Sequence, residues 1–215
     1  MLPWILAATL AVGGAVTDAA QLAAALQKKY DAIRDFSADF VHSYQGGVLR
    51  KQITERGRLL IKKPGKMRWE YTAPDQKLFV SDGVKMYSYL PQEKQVVVAS
   101  VPAEDQATTP TLFLAGKGNL TRDFTASAAD LPPGMPAGTR ALKLVPKNPQ
   151  QDYDWLILII DPRSLEIRGL VTVDAQGGKS TFSFNNLKEN VGVADKEFAF
   201  KIPPGVDVVQ SPGRP

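Results

Sequence analysis

The residues that could do chemistry are few. The 215-residue chain has no cysteine and a single histidine, His42. That excludes disulfides, thiolate nucleophiles, thiolate metal sites and cysteine-anchored lipidation. His42 alone could serve a Ser-His-Asp relay, but it stands among strand-like residues between Phe40 and Tyr44, with no Gly-x-Ser-x-Gly beside it. The paired carboxylates Glu104 and Asp105 lie in a loop-like stretch, and Walker, dinucleotide, His-Glu-x-x-His and calcium-loop patterns are missing. Catalysis, a metal centre and a cofactor are therefore not expected.

A second candidate chemistry is charge. Arg50, Lys51, Arg56, Arg58, Lys62, Lys63, Lys66 and Arg68 crowd one region near Trp69 and Tyr71. Basic residues interleaved with aromatics can grip single-stranded nucleic acid. Here they alternate along a strand, which sends the two kinds of side chain to opposite faces. The formal net charge is only +4, far below that of a dedicated nucleic-acid domain. A solvated face or a surface for an acidic protein fits better.

The third is apolar surface. Met67, Trp69, Tyr71, Val80, Met86, Leu112, Phe113 and Leu114 supply large, adaptable side chains of the kind that accept irregular greasy ligands. The same pattern also suits an ordinary core, and periodicity alone does not separate the two.

These residues need positioning elements. Residues 1–17 hold an apolar run too short to span a bilayer, followed by Gly13-Gly14-Ala15, and read as a secretory signal cut near Ala15. Asp18 then reads as the N-cap of a helix on which Leu22, Leu26, Tyr30 and Ile33 recur at helical spacing, with Ala25 beside them. From Phe36 the period becomes two. Strands are predicted over 36–44, 54–62, 66–72, 77–81, 84–90, 95–101, 140–146, 154–160, 167–174, 179–185 and 197–202, with Asp82-Gly83 as a tight hairpin. Thr109-Pro110 can start, and Gly116 end, a short helix apolar on all sides, which must be covered on more than one side. Residues 126–138 read as a loop rich in Pro and Gly. With 44% hydrophobic residues, residues 18–210 form one domain and 211–215 a flexible tail. The fold class is mainly β with α: about eleven strands in one meandering antiparallel sheet. A sheet that long curls, and only the two helices can fill its concave side.

The order of short motifs resembles a known family. Asp35-Phe36-Ser37-Ala38-Asp39-Phe40, Gly57-x-Leu59-x-Ile61, Lys63-Pro64-Gly65-Lys66-Met67-Arg68-Trp69, Val80-Ser81-Asp82-Gly83, Thr109 to Gly116, and Phe198-x-Phe200-x-Ile202-Pro203-Pro204-Gly205 are similar in order and spacing to the outer-membrane lipoprotein carriers, LolA. The resemblance implies an unclosed antiparallel barrel with a helical lid over a hydrophobic cavity, and no cofactor. It implies a periplasmic shuttle, acting as a monomer, that takes triacylated lipoproteins from an inner-membrane lipoprotein-releasing ABC transporter to the outer-membrane receptor LolB. The expected cavity residues are Leu26, Tyr30, Phe40, Leu59, Ile61, Met67, Trp69, Tyr71, Val80, Leu112 and Leu114. The family's latch arginine corresponds to Lys63, which lacks the planar fork of arginine. LolB carries an acylated cysteine, so a cysteine-free chain is expected to be the carrier. The alternatives are a carrier or sensor of another hydrophobic ligand on the same fold, or a hydrolase.

Overall fold

The computed structural model describes residues 13–46, 52–101, 114–116, 118–150, 153–173 and 177–211, with side chains from residue 19 onward. Helix α1 (Gly13–Ala32) is followed by β1 (Asp35–Gln45), β2 (Gln52–Lys62), β3 (Lys66–Ala73), β4 (Lys77–Asp82), β5 (Lys85–Leu90) and β6 (Gln95–Ser100). After the short helix α2 (Leu120–Asp123) come β7 (Phe124–Ala129), β8 (Arg140–Pro146), β9 (Trp155–Ile160), β10 (Ile167–Val173), β11 (Lys179–Glu189) and β12 (Asp207–Gln210). All twelve strands form one sheet in the order β12-β6-β5-β4-β3-β2-β1-β11-β10-β9-β8-β7. Two meanders, β1 to β6 and β7 to β11, are joined where β1 pairs antiparallel with β11. Strands β7 and β12 are free edges, so the barrel stays open.

Alternation decides the faces. Phe36, Ala38 and Phe40 on β1 stand opposite Ile61, Leu59 and Gly57 on β2, which stand opposite Met67, Trp69 and Tyr71 on β3. These rows belong to one buried cluster with Phe182 and Phe184 of β11 and Leu142, Leu144, Leu156 and Leu158 of β8 and β9. Helix α1 lies against this concave side with Ala19, Ala23, Leu26 and Tyr30 buried, and Ile33 just after it continues the stripe. Helix α1 also packs against β7 and α2. Each large apolar side chain so buried contributes about 1.5–3 kcal/mol.

The convex face is covered in two places. Ala141, Ile157, Ile159 and Val171 pack with Met135 from the loop after β7, which explains why β9 is apolar on both faces. Leu60 packs with Val193 and Phe198. Lys62 and Lys66 both pair with Asp195, at 2.8 and 3.1 Å, and Arg68 donates to the Glu197 carbonyl. Part of the basic cluster therefore holds the C-terminal segment down, and its alternation away from the aromatics is as expected.

Several expectations need correction. The expected sheet of about eleven strands has twelve among the described residues; the differences lie in single elements. Residues 126–129, expected as loop, belong to β7; small Ala, Ser and Thr on an edge strand leave little hydrophobic period to detect. Residues 197–202, expected as a strand, form the end of a 3-10 turn and an extended cover. Phe198 and Phe200 alternate because both pack onto the sheet, Phe200 against Tyr87 and Tyr89. The last strand is β12, parallel to β6. Asp18 lies inside α1, because the helix continues back through Ala15 to Gly13. Ala25 is exposed, and Ala19 and Ala23 take the inward stripe. Helix α2 was not expected; Asn119 caps it, its side chain accepting from the Thr121 and Arg122 amides.

The candidate functional site

Under the C-terminal half of α1, at the end of the half-barrel where β2 turns into β3, lies an apolar recess with a free volume of about 20 Å³. Leu26 and Tyr30 line it from α1, Ile33 from just after the helix, Phe36 from β1, Leu114 from the lid segment, and Ile167, Phe184 and Leu187 from β10 and β11. Lys29 and Glu189 mark its rim and pair at 2.6 Å. That is room for about one water and far less than the roughly 300–1,000 Å³ of a small-molecule pocket. The rest of the concave side is filled by the protein's own rings. Phe40 stands edge-on to Trp69 and Tyr71 at 5.2 and 4.8 Å between centroids, and Phe182 stands 5.4 Å from Trp69. Among the described residues no space for a long-chain ligand is open on this side.

The cover is held by few polar contacts. Of the lid segment, residues 114–116 are described. The Tyr30 hydroxyl donates to the Leu114 carbonyl. Gly65 N–H, from the β2–β3 turn, donates to the Ala115 carbonyl at 2.8 Å. The Lys63 ammonium bonds the Tyr30 carbonyl, near the C-terminal end of α1, and sits 3.8 Å above the Tyr30 ring. A cation is well placed at a helix C-terminus. The stem of Lys63 lies against Gly116: a Cβ there would meet Lys63 Cγ at 2.7 Å, and Gly116 has φ +80°. The lysine at the expected latch position thus joins the sheet to α1 and supports the lid from below. The carbonyl it bonds belongs to the helix and not to the lid. Burial pulls its ammonium down to about 8, and burial pushes the Tyr30 hydroxyl up, so that it stays a donor.

At the opposite end of the concave face the surface turns polar. Glu55, buried, accepts from Lys77 Nζ at 2.5 Å and contacts His42 Nδ1 at 3.2 Å. His42 Nε2 lies 3.4 Å from Ser180 Oγ, and its ring stacks on Phe182 at 4.1 Å. Burial lowers the His42 pKa more than Glu55 restores it. Serine, histidine and carboxylate thus occur in the order of a nucleophilic relay. Acyl transfer also needs preorganised donors for an oxyanion. Ser180 sits in an interior strand paired on both sides, where antiparallel ladders occupy the backbone N–H groups. Lys77 also claims Glu55. The cluster fits a paired polar rim better than a catalytic centre.

The structure brings Leu26, Tyr30, Phe40, Leu59, Ile61, Met67, Trp69, Tyr71 and Leu114 into one buried cluster. Leu26, Tyr30 and Leu114 line the recess itself. Val80 is a correction: it pairs with Arg68 in register, on the convex face, because its parity is opposite to that of Phe79 and Ser81. Leu112 lies outside the described residues. Sequence reasoning missed Phe36, Leu165, Ile167, Phe184 and Leu187. The alternation Phe182-x-Phe184 in a strand already recognised was the available signal.

A curled, unclosed sheet with a helix and a polar-tethered cover over an apolar recess defines the lidded half-barrel class. A solved structure of an uncharacterized conserved protein from Thermus thermophilus shares this fold, with a TM-score of 0.53 and 14% identity, over 89% of this chain and 99% of that one. The family model for the outer membrane lipoprotein carrier protein LolA matches residues 31–201. The outer-membrane lipoprotein carrier protein of Chromohalobacter salexigens is 34% identical over 98% of both chains. That of Pseudomonas aeruginosa PAO1 is 32% identical over 72% of this chain and 71% of its own. The chain belongs to the LolA family.

Proposed function

We propose that this chain carries lipoproteins by holding their acyl chains in the space between α1, the lid segment and the concave sheet. The observation that carries the reading is the closed, apolar recess whose cover is tethered by hydrogen bonds to the Leu114 and Ala115 carbonyls. An acyl chain costs about 0.8 kcal/mol for each CH₂ exposed to water, so a triacylated cargo cannot cross an aqueous space unshielded. A cavity whose own rings close over it when empty binds moderately, because loading displaces contacts already made. Moderate binding lets cargo pass onward to a tighter receptor without energy input at that step.

On this reading residues 1–17 are a signal, and residues 18–210 work in the periplasm as a monomer without enzymatic activity. The chain receives triacylated lipoproteins from an inner-membrane ABC transporter and delivers them to LolB at the outer membrane. No described helix is long and apolar enough to cross a membrane. The residues assigned to cargo are Leu26, Tyr30, Phe40, Leu59, Ile61, Met67, Trp69, Tyr71 and Leu114, with Lys63 as the latch.

The test is mass spectrometry of protein isolated from the periplasm. Wild type should copurify with acylated protein. Leu114→Glu places a charge on a lid residue that is 1% exposed, and should lose the cargo while keeping a β-rich circular dichroism spectrum. Cargo at wild-type levels on the variant, or no acylated species on wild type, would overturn the proposal.

A further inference from the structure

Buried polar side-chain atoms on the concave face are almost all paired. Tyr30 Oη is bonded to the lid, Ser81 Oγ donates to the Gly65 carbonyl at 2.7 Å, and Gln27 bonds Asp31 and the Leu120 amide. Among the described residues, one buried side-chain donor has no hydrogen-bond partner: Trp69 Nε1. Trp69 is 3% exposed and sits in the middle of the apolar cluster. Its ring neighbours Phe40, Phe182 and Phe184 offer only π faces and C–H edges, which satisfy an N–H weakly. A buried indole N–H normally finds an acceptor. One left without an acceptor in a ligand-binding space has a defined chemical preference: it wants an uncharged oxygen brought in by something otherwise apolar.

Its position says which oxygen. In register, Trp69 is opposite Leu59 and Ala38, one inward-facing row deeper than Met67, Ile61 and Phe36 at the lid end. That places it about 7 Å inside the mouth. Phe184, which lines the recess, separates it from the indole by one ring, with centroids 6.3 Å apart. From the Trp69 row to the His42–Glu55 row is four residues along β1, about 13 Å. One leaflet of acyl chain is similar, about 15 Å, half of a bilayer's hydrocarbon core. The apolar track thus has a lone donor near the mouth and a charged row at its far end.

We infer that the Trp69 indole N–H is the hydrogen-bond donor for an acyl-ester carbonyl of the cargo, fixing the chains with their carbonyl ends toward the lid and their tails toward the His42–Glu55 row. This rests on the carrier reading above and adds what that reading lacks: a polar contact that tells an acyl ester from a plain hydrocarbon. It also gives loading a specific gain, because the empty closed state leaves the donor unpaired.

The test compares a synthetic dipalmitoylglyceryl-cysteine peptide with its dialkyl ether counterpart, in which both ester carbonyls are replaced by methylenes. Binding to the full mature chain is measured by titration, and the Trp69 indole proton is followed by NMR after assignment with Trp69→Phe. The ester should bind wild type about three- to tenfold more tightly than the ether, the worth of one hydrogen bond. The indole resonance should move downfield with the ester and far less with the ether, and Trp69→Phe should bind both alike. Equal affinities, or an indole proton that responds identically to both ligands, would overturn the inference and leave the carrier reading standing. Failure of both ligands to bind wild type would overturn the two together. The NMR arm uses wild type, so the inference stays testable if Trp69→Phe folds poorly.

Discussion

Replacing Tyr30 by Phe should loosen the lid without loosening the barrel. The substitution removes one oxygen and keeps the ring that packs in the recess and lies beneath the Lys63 ammonium. The lost bond is the one from the hydroxyl to the Leu114 backbone carbonyl, between residues that are 4% and 1% exposed. In the variant the closed lid buries that carbonyl without this donor, while a lifted lid gives it to water. Leaving a buried group unsatisfied costs about 1–3 kcal/mol, and the whole cost falls on the closed state. The closed-to-open ratio should therefore drop roughly 5- to 150-fold. The Gly65 amide is the reporter, since its acceptor is the lid carbonyl of Ala115. Hydrogen exchange at Gly65 should accelerate by the same factor, while amides of β1 and β9 in the sheet interior change little. Unchanged exchange at Gly65 would show that the hydroxyl does not hold the lid. A uniform acceleration across the sheet would show that the lid and the barrel open as one unit, contrary to the mechanism.

Two further substitutions probe the latch and the sheet. Lys63 has its ammonium pulled down to about 8 by burial against an ordinary value of 10.5, so between those pH values the closed form lacks a proton that a solvated Lys63 binds. Closing is therefore favoured as pH rises from 8 to 10.5; uptake of an apolar fluorescent probe should fall over that range in wild type and stay flat in Lys63→Met, and an equal slope in both would remove Lys63 from the latch. Gly57→Ala places a methyl 2.1 Å from the Glu70 carbonyl and 2.6 Å from the Phe40 ring, which lies over the glycine. Overpacking of this kind costs about 1–3 kcal/mol, to be read from urea denaturation; a loss below about 1 kcal/mol would mean that Phe40 does not need that bare backbone.

Much of this was legible in the residues. The alternation of Met67, Trp69 and Tyr71 against Lys66, Arg68 and Glu70 already separated a concave apolar face from a convex charged one, and the register confirms the split. Ten strands and the β4–β5 hairpin followed from period two and turn chemistry, although its two turn residues are Gly83 and Val84 because Asp82 ends β4. The errors have physical sources. Val80 shares the apolar character of the concave residues, but its parity against Phe79 puts it on the other side. Phe198 and Phe200 alternate like a strand because a cover segment lying on a sheet meets the same spacing as a strand within it. Strand β7 carries too little apolar contrast to announce itself. Four of the eleven lining residues come from β10 and β11, strands far along the chain from α1, and nothing local in the sequence says that β1 pairs with β11. The unpaired donor on Trp69 is likewise a property of three-dimensional surroundings, invisible until its neighbours are known.

The central claim is that cargo enters only when the lid lifts away from the β2–β3 turn. The cysteine-free chain offers a clean way to test it. Lys63→Cys with Gly116→Cys places two sulfurs where the lysine stem and the glycine now touch, within the Cβ separation of about 3.5–4.5 Å that a disulfide spans. Loading of acylated lipoprotein is then measured on the oxidised and reduced double variant. A lid that must lift predicts no loading when oxidised and recovery on reduction; equal loading in both states would contradict it.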